Sequence, residues 1–320
     1  MINITEVSIL ALTLALAIDL FIGEPPESIH PTVWMGKVAE SIESRLRLGS
    51  PSMERAQGIA LVIALVLLFT VPAYYGLDYL ARYIGLIPYL IVCAFLLKTT
   101  IAVKSMRQFA APIACAAKEG NYDRMRQLLR NIVRRDPAQL TDQQVFSATV
   151  ESIAEGTVDG ATGPVFLYSL FGIAGAIAYR VVNTLDSTVG YRDRRHIYIG
   201  WFAARLDTVV NYVPARVTGI LTIASSWILG FDWSKCLYTL RKDHSKTASL
   251  NAGWPMSAMA GALGISLEKP GFYVLGQSSR ALDAADIQNA LRIMELNVLL
   301  FVALVCVPII VVSRMLVPIV

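Results

Sequence analysis

Stretches free of Asp, Glu, Lys and Arg recur along the chain at 56–77, 83–97, 160–179, 217–231 and 296–313. A further apolar run at 7–18 ends at Asp19. A helix that crosses a bilayer needs about 20 mostly apolar residues, so these runs predict an all-α, polytopic helical membrane protein. Composition agrees. Of 320 residues, 55% are hydrophobic and 16% charged, with a mean hydropathy of +0.54. Average soluble domains carry about 25% charged residues, so a soluble monomer, a disordered chain and a disulfide-built secreted scaffold are excluded. The run at 7–18 lacks a basic flank and a small-residue cleavage site, and reads as a retained helix rather than a signal peptide. Residues 247–267 are uncharged too, but rich in Ser, Asn, Gly and Pro. That suits a protein-packed loop or half-helix better than lipid.

Charge selects between topologies. If all six runs cross, the 28 Lys and Arg split 20 to 8 between the two sides; if 160–179 and 217–231 do not cross, the split is 26 to 2. The positive-inside rule favours the second arrangement. It gives about four clear spans, with 160–179 and 217–231 re-entrant or buried in protein, both chain ends outside, and 185–205 on the cytoplasmic side. Residues 1–320 then form a single integral-membrane domain. Within it, 98–159 is a polar helical subdomain on the cytoplasmic side. RQFAAPIACAAKEG, YDRMRQLLRNIV and DQQVFSATVESIAE show apolar residues near helical spacing. Gly120-Asn121 and Asp136-Pro137 punctuate them, and Thr141 is placed to N-cap the third helix.

In a chain so poor in charge, polar clusters beside apolar runs are costly and invite a functional explanation. Asp19 and His30 flank a Pro-rich turn followed by Trp34, which is either an interfacial turn or the mouth of a polar site. Arg134-Arg135-Asp136-Pro137 is a solvated turn or a bidentate clamp for phosphate or carboxylate. Glu151, Glu155 and Asp159, at i, i+4 and i+8, would share one helix face and repel one another without a compensating cation. Mg2+, which binds through carboxylates and substrate phosphates, is an economical candidate; a solvated acidic face is the alternative. Arg180, Asn183 and Asp186 fit one side of a helix, and Asp207 and Asn211 are i,i+4 neighbours before Pro214 and Arg216. These last two groups could equally be polar glue between helices.

Other chemistries find no support. GxxxxGK[ST], GxGxxG and HExxH do not occur, and His30, His196 and His244 are dispersed. Cys93, Cys115, Cys236 and Cys306 form no metal-ligand spacing, and a net charge of +4 gives no argument for nucleic acid.

Six ordered motifs, GEPPESIHPTVWMG, RRDPAQL, VESIAEGTVDG, YRVVNTLDSTVGYR, ARLDTVVNYVPAR and NAGWPMSAMAGALG, resemble the CobD/CbiB cobalamin-biosynthesis family. The resemblance runs from Asp19 to about Gly276. It implies an integral-membrane adenosylcobinamide-phosphate synthase in a prokaryotic plasma membrane, with a cytoplasmic-side active site. Such an enzyme joins the amino group of (R)-1-aminopropan-2-ol, or its O-phosphate, to the propionate carboxylate of (adenosyl)cobyric acid. ATP with Mg2+ is the implied energy source, through an acyl phosphate. Residue by residue, the resemblance assigns Glu151, Glu155 and Asp159 to Mg2+–ATP. Arg180, Asn183, Asp186, Arg205 and Asp207 take catalytic roles. Asp19, His30, Arg135, Asn211, Arg216 and Asn251 take substrate-binding ones. The sequence departs from the family pattern at Gly156, where Asn is usual, at Thr208, where a second Asp is usual, and at Met256, where many relatives carry Glu.

Two other classes compete. A transporter shares the spans, the intramembrane acids and the Gly/Pro-interrupted segments, although no inverted repeat is visible. A non-catalytic scaffold for other corrinoid-pathway enzymes leaves the acidic stripe unexplained. Membrane lipid is a partner under every reading. Gly172, Gly175 and Ala176 allow close helix packing, within one chain or in a homo-oligomer.

Overall fold

Helix starts are written locally and the structure uses them. Thr141 and Gln144 exchange side-chain and backbone hydrogen bonds in a full capping box, and Asp283 and Asp286 do the same farther along. Ser50 and His30 each cap a helix whose first residue is proline. The computed structural model describes residues 4–46, 49–133, 136–191, 193–278 and 280–316.

Among these, the helices in chain order are α1 (Ile4–Phe21), α2 (Pro31–Glu43), α3 (Pro51–Tyr79), α4 (Leu86–Lys98), α5 (Val103–Lys118), α6 (Tyr122–Leu129) and α7 (Asp142–Thr157). Then follow α8 (Gly163–Val189), α9 (Trp201–Val210), α10 (Tyr212–Ile228), α11 (Trp233–Asp243), α12 (Gly253–Leu263), α13 (Ala284–Phe301) and α14 (Val307–Leu316). A small antiparallel hairpin pairs β1 (Leu267–Lys269) with β2 (Tyr273–Leu275), Leu267 facing Leu275.

Among the described residues five segments are long and apolar enough to cross a membrane: Ile4–Phe21, Pro51–Ile84, Leu86–Lys118, Asp142–Val189 and Ala284–Ser313. The sequence predicts about four. The additional one contains 160–179, and at 61% its apolar window is the most protein-buried of the five. It is also not a straight rod. Gly172 takes φ 68° and ψ −156°, open essentially only to glycine. A Cβ on Gly175 would lie 2.4 Å from the Leu167 carbonyl oxygen, and one on Gly163 would lie 2.2 Å from the Tyr179 hydroxyl. In an unbroken helix these pairs would stand about 12 and 24 Å apart at 1.5 Å per residue. The segment therefore folds back on itself at Gly172, where the charge distribution predicts a re-entrant or protein-buried course. The run 217–231 falls mostly in α10, which packs against α11, α12 and α13. Residues 253–263 form the short, buried α12 rather than a span, with nine of its residues out of solvent.

The chain gathers into two compact units, each discontinuous in sequence. The first comprises Met1–Ala102, Gly163–Val210 and Val305–Val320; the second comprises Val103–Thr162 and Asn211–Leu304. In the first, α1 lies against α4, and α8 against α2, α3 and α9. The second contains α5, α6 and α7 of the polar subdomain, and its core joins residues such as Ile113, Leu129 and Ile153 to Met259, Ile287 and Ile293. Polar glue joins helices there too: Asn297 of α13 donates to the Thr218 carbonyl and the Thr222 hydroxyl of α10, each at 2.9 Å.

Candidate functional site

In the first unit the polar residues converge on a helix break. α4 ends at Lys98, and Thr99–Ala102 are non-helical before α5 begins. Such a break leaves carbonyls without helical partners, and three are satisfied by side chains. The Thr32 hydroxyl donates to the Thr99 carbonyl at 3.0 Å, Arg180 Nη2 donates to the Thr100 carbonyl, and Lys98 Nζ donates to the Ile101 carbonyl at 3.1 Å.

Lys98 is the hub. Its side chain is 1% exposed, with Nζ 3.0 Å from Asp19 Oδ1 and 2.8 Å from Glu24 Oε2. With the Ile101 carbonyl, these acceptors match the three donors of an ammonium. A buried charge is tolerable only when paired and hydrogen-bonded in this way. Glu24 Oε2 is also 2.8 Å from His30 Nε2. His30 Nδ1 accepts from the Thr32 amide at 3.2 Å. With Nδ1 accepting, the ring proton sits on Nε2 and points at Glu24. Arg180, 9% exposed, carries the network onward. Its Nη1 donates to Asn183 Oδ1 at 3.2 Å, and Asn183 Nδ2 donates to Asp207 Oδ1 at 3.3 Å on α9.

The expected residues Asp19, His30, Arg180, Asn183 and Asp207 thus lie in one centre built from α1, α2, α4, α8 and α9. Asp186 sits one turn on, its Oδ1 only 2.2 Å from where a Cβ on Gly190 would be. Arg205 is exposed on α9. Lys98 and Glu24 were missed by the sequence reading. Lys98 is the first charge after the run 83–97, a position that ordinarily means snorkelling to an interface, and Glu24 stands beside the Pro-rich turn with nothing in the local pattern to set it apart.

In the second unit the acidic trio is spread out. Glu151 is buried, with one oxygen accepting from the Ser147 hydroxyl at 2.7 Å and the other from the Tyr273 hydroxyl at 2.8 Å. Ser147 also takes the Glu268 amide at 2.7 Å, tying α7 to the hairpin. Glu155 is exposed, and Asp159 lies in the wider π turn Val158–Thr162. Among the described residues no three His, Cys, Asp or Glu side chains form a metal-binding group. The set therefore does not close into a three-carboxylate shell.

Arg216 of α10 stacks over the Tyr212 ring at 3.3 Å and near the Trp254 ring at 5.1 Å. It donates to the Tyr212 carbonyl at 2.7 Å and to Asn251 Oδ1 at 3.2 Å. Trp254 in turn packs on His244, centroids 4.5 Å apart. Asn211 is buried in the break between α9 and α10, and Pro214 lies in the first turn of α10. Arg134 and Arg135, the expected clamp, lie outside the described residues.

The three departures have local accounts. A Cβ on Gly156 would sit 2.3 Å from Met106 Cε, so Met106 fills the space there. The Thr208 hydroxyl bonds back to the Ala204 carbonyl at 2.7 Å. Met256 is buried, with Sδ 3.9 Å from the Tyr273 hydroxyl.

Comparison with known proteins covers nearly the whole of this architecture. The family described as CobD/CbiB protein matches residues 12–294. A relative from Methanothermobacter thermautotrophicus, named probable cobalamin biosynthesis protein CobD, is 39% identical over 297 residues, 93% of this chain and 96% of its own length. The cobalamin biosynthesis protein CobD of Dehalococcoides mccartyi is 40% identical over 274 residues, covering 86% of this chain and 88% of its own. No solved structure matches the chain. With its helical membrane architecture and this match, the chain belongs to the CobD/CbiB family of cobalamin-biosynthesis proteins.

Proposed function

We propose that the protein is an amide ligase, an adenosylcobinamide-phosphate synthase. It would join the amine of (R)-1-aminopropan-2-ol or its O-phosphate to the propionate carboxylate of (adenosyl)cobyric acid. The observation that supports this most is the buried centre of Lys98, Asp19, Glu24, His30 and Arg180, an expensive assembly in a chain so poor in charge.

Amide formation from a free carboxylate is uphill in water. In the proposed sequence a carboxylate oxygen attacks the γ-phosphorus of ATP, forming an acyl phosphate and releasing ADP. The amine nitrogen then attacks the acyl carbon, the C–O bond to phosphate breaks, and inorganic phosphate and a proton leave. Arg205 and Arg216 are assigned to anionic oxygens, Arg216 held in place by its ring stack and Asn251. The Arg180–Asn183–Asp207 chain orients the reacting groups by holding α8 and α9 in fixed register. Asp19 and His30 are assigned to substrate binding through the Lys98 hub, and Asp186 and Asn211 to supporting positions. Glu155 and Asp159 would hold Mg2+, which neutralises phosphate charge when bound; Glu151 positions their helix.

The test uses purified protein in detergent with cobyric acid, aminopropanol phosphate, ATP and Mg2+, read by mass spectrometry with each component omitted in turn. An amide product that requires ATP and Mg2+ is the expected result. Cobyric acid binding with no product would overturn the ligase reading in favour of a binder. The re-entrant turn at Gly172 is a feature that transporters share. Substrate movement into sealed vesicles without ATP consumption would favour that reading instead.

A further inference from the structure

We propose that a groove in the first unit, between α3, the folded-back α8 and α9, holds one hydrocarbon chain of a membrane lipid. The groove measures about 410 Å3, and Val66, Leu167, Ala174, Ala178, Leu206 and Val210 are among its walls. It exists because α8 reverses at Gly172: the two arms meet closely at Leu167 and Gly175 and leave open space along Ala174 and Ala178.

Its chemistry excludes water. Two lining side chains carry a hydroxyl. That of Thr70 is spent on the Val66 carbonyl at 2.6 Å, within its own helix. That of Tyr179 lies against Gly163, on a residue only 1% exposed. A water inside would lack the two to four polar partners it needs. An empty groove would forfeit the close packing that apolar side chains otherwise reach.

Its mouth settles the source of the occupant. Beside it, α3 presents Ile63, Leu67, Leu68 and Val71 at 41–53% exposure, and Phe171 stands at the rim at 53%. This part of α3 is the middle of Pro51–Ile84, a segment long and apolar enough to cross a membrane. The medium at the mouth is therefore bilayer hydrocarbon, and an acyl chain can enter sideways without uncovering a polar group. The occupant does not depend on the reaction proposed above.

The test reconstitutes the full chain in phosphatidylglycerol vesicles containing a phosphatidylcholine with a diazirine in one acyl chain. After illumination, labelled peptides are mapped. Labelling per residue at Ala174, Ala178, Leu206 and Val210 should exceed that at the exposed Leu299 and Leu304 at least fivefold. Ala178→Trp should remove the groove labels and leave the others unchanged. Leu206→Trp, from the opposite wall, does the same should Ala178→Trp fail to fold. Labelling spread evenly over the apolar surface, or groove labels that persist in a folded variant, would overturn the proposal.

Discussion

Arg180 donates a hydrogen bond to the backbone carbonyl of Thr100, 80 residues earlier in the chain. The contact ties the folded-back α8 to the break that follows α4. It also fixes the guanidinium that reaches Asn183. One planar fork serves two acceptors on different elements, which a single ammonium point charge does less well.

Arg180→Lys should therefore lose one of these bonds and leave a buried acceptor unsatisfied. The expected cost is about 1–3 kcal/mol of stability, read as a lower melting temperature in detergent, with a fall in turnover beyond that explained by the unfolded fraction. Equal activity in arginine and lysine forms would show that the fork does not position the site.

Lys98→Met removes the cation from two carboxylates. Asp19 is 3% exposed on its side chain and Glu24 27%, so most of the penalty falls on Asp19. Breaking a buried pair from one side costs on the order of 3–5 kcal/mol. Adding Asp19→Asn to Lys98→Met should recover part of it, since the second change removes the stranded charge. A double variant no more stable than the single one would refute the pairing.

Gly172→Ala places a Cβ on a backbone at φ 68° and ψ −156°. The strain is about 1–3 kcal/mol. It should appear as a lower melting temperature in detergent, and an alanine variant as stable as the parent would show that the reversal does not need glycine there.

Cysteine chemistry gives a further check. Burial pushes the Cys236 thiol up to about 12, with the Ser226 hydrogen bond opposing. Its thiolate, the reactive form, is then scarce at pH 8 and becomes plentiful only as pH rises toward that value. Cys115 is exposed and Cys236 buried. A maleimide at pH 8 should modify Cys115 in the folded protein and reach Cys236 only after denaturation.

What could be read in advance follows the range of the physics. The Thr141 cap, the turns at Gly120 and Asp136 and the protein-packed loop or half-helix within 247–267 depend on near neighbours, and all were visible in the chain. That 160–179 differs from the clear spans was visible through bulk charge. The number of membrane-length segments differed, because the run 160–179, most of which lies in the 27-residue α8, is long enough to cross but was set aside on charge. The centre itself was half visible. Arg180, Asn183 and Asp207 announced themselves as costly polar residues. Lys98 did not, since a lysine at the end of an apolar run normally reaches water. Tyr273 as the partner of Glu151 required a hairpin 122 residues away, a separation that no local pattern records.

The break at Thr99–Ala102 also constrains how the protein is made. Leu86–Lys118 leaves the ribosome as one stretch of 33 residues, uncharged as far as Leu97 and carrying Lys98, Lys104, Arg107 and Lys118 beyond it, with no Gly or Pro at Thr99–Ala102 to interrupt it. The Thr100 carbonyl receives its partner only when Arg180 has been synthesised. Until then an intact helix would satisfy that carbonyl better than a break, because a backbone group buried without a partner is costly. The interruption is thus a late event of assembly, set when α8 arrives, and a nascent chain truncated before Arg180 should insert 86–118 as a continuous helix.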